Sequence, residues 1–289
     1  MHIDPYIVLG SAVVGLLVGM TGAGGGALMT PMLILLFGVT PAAAIYSDLV
    51  ASVVMRPVGS AVHLRAGTVN RRLVLLMSTG SVPAAILGAY LLSLMGNSKS
   101  DIKHIEVILG AALLVGAAAM VLRFALDRRS GVARDDLIHQ LTPRPVVTVL
   151  IGIVGGLIVG MTSVGSGSLM IILMLFAYPT ISAKQLVGTD LTQAVPLTFA
   201  AAAGSLLFGH VEFGLTGSLI LGSVPAVLIG SLLSSSIPDR YIRPVIAFVI
   251  LASGLKYVGL STTALGWSLV AILLIGGLFS TYALRQTQK

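Results

Sequence analysis

Residues 19–29 read Gly-Met-Thr-Gly-Ala-Gly-Gly-Gly-Ala-Leu-Met, a glycine-rich interruption of an apolar segment, and residues 160–170 read Gly-Met-Thr-Ser-Val-Gly-Ser-Gly-Ser-Leu-Met. Seven of the eleven positions are identical at an offset of 141 residues, so the chain is a duplication. Such a break frees backbone N–H and C=O groups that lipid cannot satisfy, and it survives only where it is packed in protein or lines a cavity. Breaks at matching positions of two halves are the sequence pointer to a substrate site between them.

The surrounding composition sets the class. With 56% hydrophobic and 9% charged residues among 289, and a mean hydropathy of +1.03, the chain carries more apolar surface than a soluble core can hide. The expected fold is an all-α polytopic membrane protein. The absence of cysteine excludes disulfides and thiolate chemistry, and no cofactor or metal site is expected. The net charge of +7 sits at the ends of apolar runs, which reports orientation and not nucleic-acid binding. No Lys or Arg precedes Arg56, so the first apolar segment lacks the basic flank of a cleaved signal and is expected to stay.

Residues 6–20 and 27–37, the arms of the first break, extend about 22 and 16 Å as helices, against about 30 Å of hydrocarbon. A re-entrant hairpin is expected, followed by spans over 41–64, 73–95 and 105–122. The second half repeats the plan with a broken segment over 146–178 and spans over 185–208, 213–233 and 241–259. Gly80-Ser81-Val82-Pro83-Ala84 returns as Gly222-Ser223-Val224-Pro225-Ala226, and Asp48-Leu49 as Asp190-Leu191. The expected organisation is a first transmembrane repeat (1–123), a charged cytoplasmic linker (124–144), a second repeat (145–260), and an extra C-terminal helix and tail (261–289). Trp267 and Tyr282 flank that last helix as interface anchors. Three crossings per repeat invert the two halves. With the N-terminus outside and the C-terminus cytoplasmic, thirteen Lys and Arg fall inside against Lys99, Lys103 and Lys256 outside.

Interrupted helices present free N–H groups and the positive end of the helix dipole to an anion. Thr21, Gly24, Gly25 and Gly26 in one break, with Thr162, Ser163, Ser166, Gly167 and Ser168 in the other, are the candidate binding residues. The competing reading is that these small residues only let helices pack closely. On the helix after the first hairpin, Asp48, Ser52 and Arg56 are four apart and share a face, and the second half offers Asp190, Thr189 and Gln193. Embedded carboxylates are either coupling groups, with protons as the candidate ion, or braces for the freed N–H groups of the breaks. Arg56 has no copy, since Thr198 stands at the matching position, and it is the candidate anion ligand. His63, His210 and Lys184 near helix ends read as solvated, and the methionines as packing.

The Gly24-Gly25-Gly26 break with Thr21 and Pro31, the Gly188-Thr189-Asp190-Leu191-Thr192-Gln193 segment and the duplicated halves around a charged linker resemble the TauE/SafE family of sulfite and organosulfonate exporters. The resemblance covers nearly the whole chain. It implies a multi-pass carrier in the inner membrane of a bacterium or archaeon that exports small sulfur-containing anions. This chain has Tyr46-Ser47-Asp48 where the family pattern has Gly-Thr-Asn/Ser-Lys, which leaves Arg56 as the embedded cation. No phosphate-binding Gly-x-x-x-x-Gly-Lys-Ser/Thr motif occurs, so the energy is expected from an ion or substrate gradient or from a partner. The alternatives are a passive anion channel and an intramembrane enzyme using Ser166 and His210; the copy of Ser166 is Gly25, which weighs against a nucleophile. Homo-oligomerisation is left open. The topology predicts that a thiol probe applied outside intact cells labels Ser98→Cys and leaves Ser130→Cys unmodified; outside labelling at 130 would reverse it.

Overall fold

The computed structural model describes residues 3–21, 25–95, 98–129, 142–233 and 239–260. Among these residues the chain is all-α. The first half contains α1 (Pro5–Thr21), α2 (Gly26–Phe37), α3 (Pro41–Arg65), α4 (Arg71–Leu94) and α5 (Lys99–Arg129). The second contains α6 (Pro145–Thr162), α7 (Leu169–Ala177), α8 (Ala183–Phe208), α9 (Phe213–Leu233) and α10 (Asp239–Tyr257). The expected last helix, with Trp267 and Tyr282, lies outside the described residues, as does most of the linker.

Local chemistry explains the boundaries. Pro5, Pro41 and Pro145 open α1, α3 and α6, at the position where a missing N–H costs nothing. Asn70 and Ser182 cap α4 and α8 by accepting from Leu73 N at 3.1 Å and Gln185 N at 3.2 Å. Gly38 ends α2 at φ +67°, with Val39 N bonded to Leu33 O. Helix α5 continues to Arg129, past the expected repeat boundary at 123.

Among the described residues, five helices are long and apolar enough to cross a membrane: α4, α5 over 99–122, α6, α8 over 185–208, and α9. Large apolar side chains stand exposed along them, Leu207 at 73% and Leu232 at 80%, as lipid-facing residues do. Helix α6, read from sequence as a half-span, is one of the five, because its helix runs unbroken for 18 residues from Pro145. The segment nevertheless folds back: Tyr178, just beyond α7, accepts from Arg144 N at 2.8 Å and hydrogen-bonds Thr148, so the end of α7 returns to the start of α6.

The helices interlock across the two halves. α1 packs along α9 and α4 along α6, and these are the most extensive contacts of the fold. Both seams are made of small residues. A side chain at Gly15 would run into the Ser223 backbone and one at Gly19 into the Val227 carbonyl, while Gly156 and Gly160 meet Ser81 and Ala85 in the same way. These contacts are copies of one another at the duplication offset. Each pair runs parallel: Asp4 N donates to Ser218 Oγ at 3.0 Å at one end of the first seam, and Gly19 meets Val227 and Ser231 at the other. α3 and α8 instead run antiparallel, with Tyr46 against Gly209 and Ser60 Oγ 3.2 Å from Thr192 Oγ1.

Two hydrophobic cores result, and neither coincides with a sequence half. One unites α1, α2 and α9 with α10 and most of the apolar side of α5, including Val14, Leu33, Leu113, Leu219 and Ile250. The other unites α4, α6, α7 and α8 around Met77, Val159, Met170, Met174 and Leu197. α3 lies between them, giving Ala44, Ala51 and Met55 to the first and Ile45, Tyr46 and Leu49 to the second. Bilayers supply no hydrophobic drive between helices, so the seams depend on close packing. Gly15→Val and Gly156→Val should each lower unfolding stability by about 1–3 kcal/mol, as read by denaturation in detergent. Gly59→Ala, where a methyl would meet only Leu191 Cδ2 at 3.9 Å, should be neutral or stabilising.

Candidate functional site

The two breaks touch. A side chain at Gly26 would overlap the carbonyl oxygen of Ser163, so the start of α2 lies directly on the end of α6. Gly25 differs from its neighbour: it is helical at φ −54°, and a methyl there would meet only Met55 Cε at 3.5 Å. The second break is turned by Ser163 at φ +58°, Gly165 at +126° and Gly167 at +88°. Thr162 Oγ1 bonds Ile158 O at 2.7 Å and accepts from Val164 N at 3.1 Å, closing the end of α6. No side-chain hydrogen bond caps α2 or α7, whose N-terminal residues Gly25 and Ser168 are both buried. Gly24 lies outside the described residues, and Thr21 ends α1.

Asp48 ties the breaks together. Its Oδ2 accepts from Thr30 Oγ1 at 3.0 Å, on the hairpin of its own half, and from Ser163 Oγ at 2.7 Å, in the break of the other half. Its Oδ1 has no hydrogen-bond partner among the described residues. Two turns further along α3, Arg56 is 7% exposed and interacts electrostatically with Asp190 first and with Asp48 second. One nitrogen of its guanidinium, Nη1, has no hydrogen-bond partner among the described residues. Asp48, Arg56 and Asp190 are the charged side chains buried in the described interior.

The other expected residues divide between the site and its frame. Ser166, between the two positive-φ glycines, is 2% exposed and its Oγ is unpartnered. His210 is exposed beyond the end of α8, so no described base contacts that serine. Gln193 donates to Ser81 Oγ at 2.7 Å, leaving its Oε1 without a partner. Thr189 accepts from Asn70 N at 3.0 Å and belongs to the frame, holding the α3–α4 connection against α8. Ser52 is buried on α3 between Asp48 and Arg56. His63 is half-buried, with Nδ1 3.0 Å from Thr68 Oγ1.

Three features escape the sequence reading. Thr30 as a donor to Asp48 leaves no repeat signal, because the matching residue is Ile171. The electrostatic attraction of Arg56 to Asp190 depends on α3 and α8 lying together, whereas spacing along α3 alone suggests Asp48 as its nearest carboxylate. Gly80 and Ser81 stand out in the sequence only as part of a repeated segment, yet they are the landing surface of α6.

Residues 7–257 match the family described as sulfite exporter TauE/SafE. In Bacillus subtilis (strain 168), the probable membrane transporter protein YjnA is 41% identical over 256 residues, spanning 87% of this chain and 98% of its own. The probable membrane transporter protein YdhB from the same organism is 22% identical over 209 residues, 72% of this chain and 81% of its own. No solved structure matches the chain. A match that begins in α1 and ends with α10 takes in both breaks and all three buried charges, and the chain accordingly belongs to the sulfite exporter TauE/SafE family of membrane transporters.

Proposed function

We propose that this transporter is a secondary carrier for small sulfur-containing anions such as sulfite or organosulfonates, exporting them across the cytoplasmic membrane of a bacterium or archaeon. The observation that carries the reading is Arg56, a buried cation with an unsatisfied donor on the same helix as Asp48, whose carboxylate joins the two breaks. Burying an ion without full pairing costs several kcal/mol, and a fold tolerates that cost where a ligand completes the set. An oxyanion fits the guanidinium fork. Ser166 Oγ is a buried donor in want of an acceptor, and the N-termini of α2 and α7 add backbone N–H groups of the same polarity.

The same geometry supports a reading of the motion. Parallel seams join α1 to α9 and α4 to α6, while α3 and α8, counterparts in the duplication, run opposite ways. This supports an inverted repeat. The bodies that rock are then the two cores, each drawn from both sequence halves, with α3 and the breaks between them. Counterflow in proteoliposomes separates such a carrier from a passive channel.

Arg56→Gln should weaken anion binding by about 1.5–3 kcal/mol, the range for a hydrogen bond to a charged group, and Arg56→Lys should restore part of it. Calorimetry on the folded variants checks this, and unchanged affinity would remove Arg56 from the site. Gly25→Leu should abolish transport and leave the protein folded, because a Cβ there meets only the flexible end of Met55 at 3.5 Å. Gly26→Ala should fail to assemble, since its methyl would overlap Ser163 O. Equal loss of folded protein in both would favour packing as the role of the break.

A further inference from the structure

The buried charges do not balance, and the two carboxylates are solvated in different ways. Asp48, Asp190 and Arg56, all ionised, sum to one negative charge in the described interior. A bound monoanion raises this to two, in surroundings where uncompensated charge is expensive. Asp190 is the carboxylate with the larger electrostatic attraction to Arg56. Asp48 is held by the hydroxyls of Thr30 and Ser163, both on Oδ2, with Oδ1 unpartnered. A hydroxyl can donate to a carboxylate and remain beside the protonated acid, whereas a guanidinium has donors only. We propose that anion binding at Arg56 is accompanied by uptake of one proton from solution onto Oδ1 of Asp48, so that anion and proton bind as a pair. This rests on the anion-carrier reading above.

No described charge nearby offers another way to balance the ligand. Helices α2, α6 and α9, which pack on α3, contain no titratable side chain. From α8 comes Asp190, already engaged by Arg56, and the side chain of Lys184 lies outside the described residues. On α4, Arg71, Arg72 and Tyr90 are exposed. On α5, the charged groups of the described side chains lie within its first turns, from Lys99 to Glu106. On α3 itself, Tyr46 is buried and neutral, and His63 and Arg65 are at the far end.

The test is calorimetry of purified full-length protein with whichever of sulfite, sulfate and methanesulfonate stabilises it thermally. Titrations run at several pH values in two buffers of different ionisation enthalpy, with any protonation of the anion itself subtracted. Methanesulfonate is the anion of a strong acid and needs no such correction. Wild type should take up about one proton per anion, with apparent affinity falling about tenfold per pH unit on the alkaline side. Asp48→Asn should still bind the anion, with no uptake and a flat pH profile. Anion binding without uptake at any pH in wild type, or uptake that persists in Asp48→Asn, would overturn the proposal while leaving the anion carrier intact. Binding of none of the three would overturn both. Should Asp48→Asn not fold, Thr30→Val decides: loss of one donor to Oδ2 shifts the pH profile of uptake, and an unmoved profile assigns the proton elsewhere.

Discussion

The fold depends on one close approach, that of Gly26 to the carbonyl of Ser163. An interrupted helix exposes backbone groups that lipid cannot satisfy, and two interruptions are tolerated here because each is buried against the other. A methyl at position 26 would separate them. The carboxylate of Asp48 then spans the junction, accepting from Thr30 on one hairpin and Ser163 in the opposite break. Everything else in the architecture serves to deliver two hairpins to that meeting point from different cores.

Delivery is achieved by exchange between halves. Because α1 is seated on α9 and α6 on α4, neither half completes its own core, and the glycines and serines of the repeated Gly-Ser-Val-Pro-Ala segment form the seats. With no hydrophobic drive between helices in a bilayer, backbone contact along these seams is the main available source of cohesion. The seams therefore need small residues on both sides, and the duplication preserved them as pairs: Gly15 with Ser223, and Gly156 with Ser81.

Much of this was legible in the sequence for a physical reason: apolar run length and helix breaks are local properties. The start of α2 falls within a residue of expectation, and α8 and α9 agree closely with their apolar runs. What was not legible depends on which helices meet. The spacing of Asp48 and Arg56 places both on one face of α3 but is silent about α8, so the carboxylate that engages Arg56 could not be read. Thr189 stands beside Asp190 and looks like a site residue, yet its hydroxyl serves the α3–α4 connection. The sequence shows a broken segment over 146–178 but not how its arms divide, and in the structure Gly155, Gly156 and Gly160 remain helical within the 18 residues of α6 and serve as contact surface.

The duplication makes the departures from symmetry informative. Asp48 and Asp190 are copies, but the residues equivalent to the donors of Asp48, Thr30 and Ser163, are Ile171 and Gly22, which have no hydroxyl to offer Asp190. The converse also holds: Arg56, which engages Asp190, is replaced at the equivalent position by Thr198, whose hydroxyl is spent on Ala194 O of its own helix. Each carboxylate has thus acquired its own kind of partner, neutral donors for one and a fixed cation for the other. On the proposed carrier reading, a frame with two like cores opens toward either side of the membrane, and a single cation gives it one anion site in place of two equivalent ones. Divergence at Thr30, Arg56 and Ser163 then bears on what the site holds, while the glycine and serine contacts of the seams are kept in both copies.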